Sequence, residues 1–593
     1  MFILGISCFY HDSAAAILKD GVLLAAAEEE RFSRRKHDNS FPEHAVRFCL
    51  ETAGIGPEDL DYVVFYEKSL PKFERIMTTL VSTFPKSMTA FREAMITWFS
   101  EKLWIKDIIR GKTKVPRDRI IFVEHHLSHA ASAFFCSPFE ESAVMTVDGV
   151  GEWTTATLGM GKADWGDGAR RNEIQLFSES RFPHSLGLFY SAFTAFLGFE
   201  VNDGEYKVMG MAPYGEPKYI DKIRKVIEVG DDGSFWLNMD YFSFHYSMSE
   251  TFSSKFADLW GEPRKPNDDF CTRSTGLLPG VSDAMVKQNE YYADVAASVQ
   301  TFTEQTIVTM AKALHARTGS KKLAFAGGVA YNSVANGRIL NETPFEEIYI
   351  QPAAGDSGGA VGAALYAYHA ILQKPREFIM QHAYWGQAFD QGRAKQAVEA
   401  LGLSYEIFDN DEKLLDLVAE QLAAGKVIGW SQGRFEWGPR ALGNRSIIAD
   451  PRRSEMKDVV NTKIKFREPF RPFAPSIQAE ATERYFNVPG GQSFHPGRFM
   501  LAVLPVNPEQ QDAIPAVSHL GTGRLQMVYE DTNPRYHGLI RRFGEATGVP
   551  VVLNTSFNLR GEPIVTTPEN ALHTFTSSGL DLLVLDSILV RKD

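Results

Sequence analysis

The sequence predicts an α/β protein of two domains, the first made of two duplicated subdomains and the second a mixed α/β unit. Three observations point there. At 593 residues the chain is longer than one hydrophobic core usually supports. A strand, polar turn, strand unit occurs twice within the first 160 residues. Beyond about residue 380 a fresh alternation of helices and strands begins.

The chain opens with alternating apolar residues in FILGIS, a polar turn through His11, Asp12 and Ser13, and a second strand AAAIL. The turn KDG then leads to a third strand, VLLAAAEE. Residues 142–158, SAVMTVDGVGEWTTATL, repeat strand, acidic glycine-containing turn and strand, with helical, amphipathic sequence between the copies. Two such units are expected to face each other across a cleft, each offering a turn to a phosphate or metal. Val295, Val299, Phe302, Ile307 and Leu314 are spaced for a helix over about 290–316. KKLAFAGGVAYNSVANGRIL then reads as a strand entering a Gly-Gly turn, and EEIYIQPAAGDSGGAVGAALYAYHAIL as strand, small-residue turn and helix. Small residues there let backbone approach a ligand closely, although tight helix-to-sheet packing has the same signature. A Lys-Pro pair after this helix puts the domain boundary near 380, giving 1–380 and 381–593. Strands are expected near KVIGWSQ, FMLAVLPV, VPVVLNTSF and LDLLVLDSILV.

The formal charge of −12 leaves no surplus of Lys and Arg to neutralise a duplex or hold an anionic membrane, so no nucleic-acid partner is expected. No apolar run reaches the roughly 18 to 20 residues of a membrane span, and the start has no basic n-region, so the chain reads as cytoplasmic. Cys8, Cys49, Cys136 and Cys271 lie far apart without a CxxC pair, which predicts reduced, buried thiols.

In VEHHLSHAASAFF, His125 and His129 stand four apart in helix-favouring sequence, so both imidazoles project from one face and can chelate one ion. Helix-surface or capping roles also suit such a pair. Asp148 and Asp356 sit in the acidic turns that the two-subdomain picture brings to the same cleft. Two histidines and two carboxylates suit Fe(II), Mn(II) or Zn(II) better than Cu(I) or Ca(II). His126 lies on another face and receives no metal role. In the second domain, GRFEWGPRALGNRS and KIKFREPFRPFAP bring Arg434, Arg440, Arg445, Lys465, Arg467 and Arg471 into glycine-containing sequence. In an acidic protein, that density predicts a pocket for phosphoryl groups, with buried salt bridges to Glu436 and Glu468 as the competing reading. Arg524, Asn554, Ser556 and Asn558 stand at predicted strand ends, where α/β sheets bind ligands. The sequence has neither GxxxxGK[ST] nor GxSxG.

Together HDSAAA, EEERFSRRKHD, HHLSHA, DGVGEW, FPHSLG, NDGEYKVMGMAPYG, AGGVAYN, QPAAGDSG, GRFEWGPRALGNRS, FREPFRPFAP and NTSFN resemble the O-carbamoyltransferase family across almost the whole chain. That family carbamoylates nodulation factors, cephamycins, tobramycin and saxitoxin. The resemblance implies a Kae1-like domain of the actin and Hsp70 type followed by a YrdC-like domain. It further implies activation of carbamoyl phosphate with Mg²⁺ and ATP to carbamoyladenylate, then transfer to a hydroxyl of a small acceptor. By residue, it implies an iron site, or one for another divalent transition metal, at His125, His129, Asp148 and Asp356. Adenylate contacts fall at Gly149, Gly151, Glu152, Gly327, Gly328 and Asn332. Arg440, Lys465, Arg471, Arg524 and Asn554 correspond to the ATP and carbamoyl phosphate site. His11 and Lys36 correspond to positions near the carbamoyl group, and Asp12 is the candidate for holding or deprotonating the acceptor hydroxyl.

Enzymes that make threonylcarbamoyladenosine on tRNA share these folds, but the net charge disfavours that reading. The hydrogenase maturation carbamoyltransferase needs cysteine zinc motifs that this chain lacks. An actin-like ATPase or sugar kinase would explain the duplication and leave the histidines and the Arg-rich domain without a role. Residues 68–115 and 216–290 match no motif and are where an acceptor pocket is expected. Core packing is the default for Trp98, Trp104, Trp236, Tyr241 and Phe242 there. A homodimer is the default assembly.

Overall fold

The computed structural model describes residues 1–166, 171–266, 268–276, 280–468 and 470–592. Strands β1 (Phe2–Ser7), β2 (Ala14–Lys19), β3 (Val22–Glu28), β4 (Tyr62–Phe65) and β5 (Ile120–Phe122) form a five-stranded sheet in the order β3-β2-β1-β4-β5. A second sheet holds β6 (Glu141–Val147), β7 (Thr154–Lys162), β8 (Glu173–Arg181), β9 (Lys322–Ala326) and β10 (Glu347–Tyr349), in the order β10-β9-β6-β7-β8. In both, an antiparallel three-stranded meander continues through its first strand into two parallel strands. The duplication read as two hairpins is therefore a duplication of whole sheets. Strands β4, β5 and β8 were not anticipated. YVVF and IIF are too short for periodicity to distinguish from the surrounding helices.

Two helices lock the halves together. Helix α1 (His125–Phe134) leaves the first sheet and packs on the second, whereas α3 (Gly358–Tyr366) leaves the second and packs on β1 and β2 of the first. They cross at backbone contact: a Cβ on Gly362 would lie 1.9 Å from the Ser128 carbonyl oxygen, and one on Gly5 1.9 Å from that of Ala360. The alanines of β2 and β3 meet this need for close approach, since they are buried yet small. Helix α2 (Asp283–Thr318) extends beyond the expected 290–316. Ser282 caps its start by accepting from Met285 N–H, and Gly319 ends it at φ 64°.

The second domain is a mixed eight-stranded sheet. Its strands are β11 (Ser404–Ile407), β12 (Ile428–Ser431), β13 (Arg445–Ala449), β14 (Ala474–Gln478), β15 (Gln526–Val528), β16 (Val551–Ser556), β17 (Leu582–Leu585) and β18 (Ile588–Arg591), in the order β11-β18-β17-β12-β13-β16-β14-β15. Helices α4 (Asp411–Ala423) and α5 (Pro534–Thr547) bury Leu414, Val418, Leu422, Leu539 and Phe543 against Trp430, Ile448 and Val552 on one face. The other face merges with the core of the first domain. FMLAVLPV is only partly a strand: Val503–Pro505 pairs with Thr522–Arg524 in a separate ribbon. Leu501 just before it is pinned to the first domain, its carbonyl accepting from Asn336 Nδ2 at 2.8 Å.

The segment EEERFSRR docks the domains. Arg31 donates to the Gly438 carbonyl at 2.6 Å, Glu28 accepts from Gly438 N–H at 2.7 Å, and Arg34 donates to the carbonyls of Pro563 and Ile564, each at 2.7 Å. All four cysteines are buried and free, and no helix among the described residues is long and apolar enough to cross a membrane.

The crossing sets a test. Gly362→Leu should destabilise the protein by about 3 kcal/mol or more through overpacking against Ser128. Gly149→Ala, whose new Cβ would meet only Leu188 at 3.9 Å, should stay within about 0.5 kcal/mol, as read by calorimetry.

Candidate active site

His125 opens α1 and His129 follows one turn later, both fully buried. Their Nε2 atoms are 3.0 Å apart. Asp148, at the end of β6, brings Oδ2 to 3.2 Å from His125 Nε2 and 3.8 Å from His129 Nε2. Asp356, in the turn before α3, brings Oδ1 to 3.6 and 3.5 Å from the same nitrogens. The sequence-predicted quartet thus converges, with one donor atom from each residue inside 4.8 Å. Asp356 Oδ2 has no hydrogen-bond partner among the described residues. Two imidazole nitrogens aimed at one point with two carboxylates fit a divalent transition metal.

The surrounding residues hold this geometry. The Glu152 carboxylate accepts from His125 N–H at 3.1 and 3.2 Å and from Lys68 N–H at 2.7 Å, supplying a negative charge at the start of α1. Gly328 N–H donates to Asp148 Oδ1 at 2.8 Å. Gly327 needs its φ of 97°, since a Cβ would lie 2.2 Å from the Val147 carbonyl oxygen. A Cβ on Gly151 would meet that of His125 at 2.9 Å, while one on Gly149 would meet only Leu188, at ordinary contact distance. Asn332 caps the helix Ser333–Glu342 and exchanges hydrogen bonds with Gln300, so its amide is already engaged. His126 bonds Thr146 Oγ1 and the Thr154 carbonyl, away from the quartet. Sequence reasoning missed Gly187, where a Cβ would lie 2.7 Å from the Asp148 carbonyl oxygen, although it lies in the quoted FPHSLG. It also missed the buried Glu67–Lys72 pair at 2.5 Å, whose carboxylate is 4.0 Å from His125 Nδ1.

Burial opposes charging His125, but the Asp148 hydrogen bond and the Asp356 charge outweigh it and lift its pKa to about 9. The imidazoles conversely hold Asp148 well below the usual carboxylate range in spite of its burial. Burial, with the neighbouring histidines, pushes His126 far below its ordinary value.

Beside the quartet, His11 Nδ1 lies 3.0 Å from Asp12 Oδ2, and His37 Nδ1 lies 2.8 Å from Asp12 Oδ1. His37 Nε2 is 3.3 Å from Asp203 Oδ1, which also pairs with Lys36. His11, Asp12 and Lys36 were anticipated; His37 and Asp203 were not, although both stand in quoted motifs.

In the second domain, Lys465 donates to Asn558 Oδ1 at 2.6 Å and the Ser556 carbonyl at 2.7 Å. Burial pushes its pKa far down, as do the nearby Arg467 and Arg471 charges. Arg524 is pushed down by burial, then by Arg440, Arg467 and Arg471. The buried Lys465 and the half-buried Arg440, Arg467, Arg471 and Arg524 lie close enough to depress one another's charge, an arrangement that calls for polyanionic ligands. Asn554 ties Ser476 and Gln526 together through Nδ2 and leaves Oδ1 unpartnered among the described residues. Arg434 and Arg445 do not join this cluster. Arg434 donates to the carbonyls of Leu24, Trp385 and Gly386, and Arg445 to those of Gln432, Gly433 and Asn444, so both brace backbone. Glu436 likewise accepts three backbone N–H groups, while Glu468 pairs with Lys207 and Arg471.

The two sites face each other. Tyr206 of the first domain lies 4.7 Å beneath the Arg471 guanidinium. Tyr331 packs against Gly355, beside Asp356, and feels the charges of both Asp12 and Arg440. Of the aromatic residues noted in the unassigned segments, Trp98 and Phe242 are core, whereas Trp104 and Trp236 are exposed.

Two family models match the chain. Residues 2–365 match the family model for the carbamoyltransferase N-terminus and residues 419–592 that for the carbamoyltransferase C-terminus. An uncharacterized protein of Synechocystis is 45% identical over 100% of this chain and 96% of its own. Nodulation protein NolNO of Sinorhizobium fredii is 37% identical over 98% of this chain and 79% of that protein. Nodulation protein NolO of Bradyrhizobium diazoefficiens is 35% identical over 79% of both.

In metal-stripped protein, a His125 pKa raised from 6.5 to about 9 contributes stability that is complete below about pH 6.5 and disappears as pH rises through 9. The contribution is on the order of 3 kcal/mol. Calorimetry of chelator-treated protein should therefore show the melting temperature falling between those pH values. Asp148→Asn should flatten the fall.

Proposed function

Because the chain belongs to the carbamoyltransferase family, we propose that it activates carbamoyl phosphate with ATP to carbamoyladenylate in the second domain and transfers the carbamoyl group to an acceptor hydroxyl in the first. The observation that carries this reading is the pairing of a polycationic cluster with a two-histidine, two-carboxylate cluster, joined by Tyr206 and Tyr331.

Two phosphorylated reactants repel each other, and activation consumes one water, which takes the phosphate from carbamoyl phosphate to leave carbamate, whose oxygen then displaces pyrophosphate from ATP. Arg440, Arg471 and Arg524 offset that charge with forks that engage phosphoryl oxygens two at a time. Lys465 is held by Asn558 and the Ser556 carbonyl at one fixed point, so its charge needs no rearrangement as the reaction proceeds. Asn554 is braced by Ser476 and Gln526 through Nδ2, and its buried Oδ1 has no hydrogen-bond partner among the described residues.

In the first domain, His125, His129, Asp148 and Asp356 would hold a divalent transition metal, iron on the family resemblance. Bound there, it would supply a Lewis acid toward the adenylate. The chain's own contribution is orientation and exclusion of water. Gly151, Glu152, Gly327 and Gly328 fix the ligands by contact, and Lys36 is tied through Asp203 and His37 to Asp12. Acyl adenylates hydrolyse readily, so sites facing each other across two tyrosines suit an intermediate that must be made and used away from water.

Carbamoyl phosphate-dependent release of pyrophosphate from MgATP, before any acceptor is added, tests the reading. Arg471→Ala and Arg524→Ala should each slow this release by about 100-fold, corresponding to roughly 3 kcal/mol of lost charge stabilisation. His129→Ala should leave it within about threefold of the parent and abolish metal binding by elemental analysis. Pyrophosphate release that does not need carbamoyl phosphate would overturn the assignment.

A further inference from the structure

The helix Ser69–Ser82 lies in the stretch 68–115 that matches no motif, and it starts beside the quartet. The Glu152 carboxylate that accepts from His125 N–H also accepts from Lys68 N–H at 2.7 Å, so one side chain fixes the starts of both helices. Three residues apart, Lys72 and Arg75 then share one face of the helix, and both are buried, at 2% and 6% exposure. Lys72 is satisfied: its Nζ pairs with Glu67 at 2.5 Å and lies 4.4 Å from the centre of the Tyr10 ring. The same is not true of Arg75. No hydrogen bond or ion pair engages it among the described residues, its Nε is buried without a partner, and its guanidinium sits over the Phe182 ring, 4.8 Å from the centroid.

Arg75 reaches across the cleft that holds the quartet. Phe182 directly follows β8 in the second half of the domain, whereas the helix carrying Arg75 follows β4 in the first. Burial raises the Tyr10 phenol well above its ordinary pKa; Asp356, Asp148 and Glu67 add to the shift and Arg75 opposes it, so the phenol is within electrostatic reach of both the quartet and the guanidinium. Tyr10 is 38% exposed, which opens this corner to solvent. Burial also depresses the pKa of Arg75, and Tyr10, Glu67 and Glu152 counter only part of that. A charge removed from water is costly unless something pairs with it. Glu67 is engaged by Lys72 and Glu152 by backbone N–H groups, which leaves one positive charge uncompensated.

We propose that Arg75 binds an anionic group of the acceptor, a carboxylate or sulfate carried near the reacting hydroxyl. This role rests on the transfer reaction proposed above and specifies the acceptor class that the reaction takes. A guanidinium presents a planar fork that matches two oxygens of either group. One net positive charge suits a monoanion, in contrast to the clustered cations of the second domain. The adenylate phosphate is the other monoanion in the reaction, but the adenylate contacts implied by the resemblance all fall in recognised motifs, whereas Arg75 comes from the stretch that matches none.

Enzyme-made carbamoyladenylate offered glycerate or glycerol tests the assignment, because the two differ by one carboxylate beside a hydroxyl. Carbamoylated product, read by mass spectrometry, should form about 30-fold faster from glycerate, and Arg75→Gln should bring the two rates together by slowing glycerate. Arg75→Lys, which keeps the charge and loses the fork, should retain part of the preference. A packing role alone would slow both acceptors equally and leave their ratio as it was, which would overturn the proposal. So would a parent enzyme that uses glycerol as fast as glycerate. Calorimetric AMP affinity of the holoprotein should be the same in the parent and Arg75→Gln; a loss of about tenfold with the acceptor preference intact would assign the guanidinium to the adenylate phosphate instead. A parent that releases no carbamoyl phosphate-dependent pyrophosphate refutes the two-stage reaction, and the anion site is then read by titrating holoprotein with glycerate. Heat of binding present in the parent and missing in Arg75→Gln supports the site, and identical titrations refute it.

Discussion

Everything in the first domain depends on two helices being able to touch along their backbones. Gly362 of α3 meets the Ser128 carbonyl of α1, and Gly5 of β1 meets the Ala360 carbonyl of α3. Because α1 carries His125 and His129 while the turn before α3 carries Asp356, that contact also sets the distance between metal-type ligands from opposite halves. A bulkier residue at the crossing would separate the helices and, with them, the ligands. The small-residue run GDSGGAVGAAL is thus packing and chemistry at once: tight helix packing and a ligand-facing turn are two ends of one element.

The duplicated hairpins, the helix carrying the histidine pair and the α/β character of the second domain were legible in the sequence. Each rests on a local pattern of period 2, period 3.6 or fixed spacing. Strands β4, β5, β13, β14 and β15 were not legible. They are three to five residues long and belong to their sheets through partners far away in sequence. The quartet was found because every member sits in a turn or helix of recognisable type. Arg434 and Arg445 were harder: composition registers a guanidinium but not whether it faces a phosphate or a backbone carbonyl. His37 and Asp203 are 166 residues apart, and nothing local announces that they share an imidazole.

The polycationic cluster and the docking of the domains are linked. Gly438 is gripped by Glu28 and Arg31 of the first domain, and Arg440 lies two residues beyond it. Tyr206 and Lys207 reach across to Arg471 and Glu468. The polycationic cluster is therefore completed by first-domain residues, which ties its shape to the two-histidine, two-carboxylate cluster and gives a physical reason for carrying both on one chain.

The exchange of helices also affects how the chain is made. Strands β1 and β2 leave the ribosome well before the helix α3 that packs on them, which lies about 350 residues downstream. At typical synthesis rates that interval is roughly 20 to 70 s. Through that time their surface waits for its lid while the intervening chain is still emerging, which makes the nascent N-terminal half a natural client for co-translational chaperones.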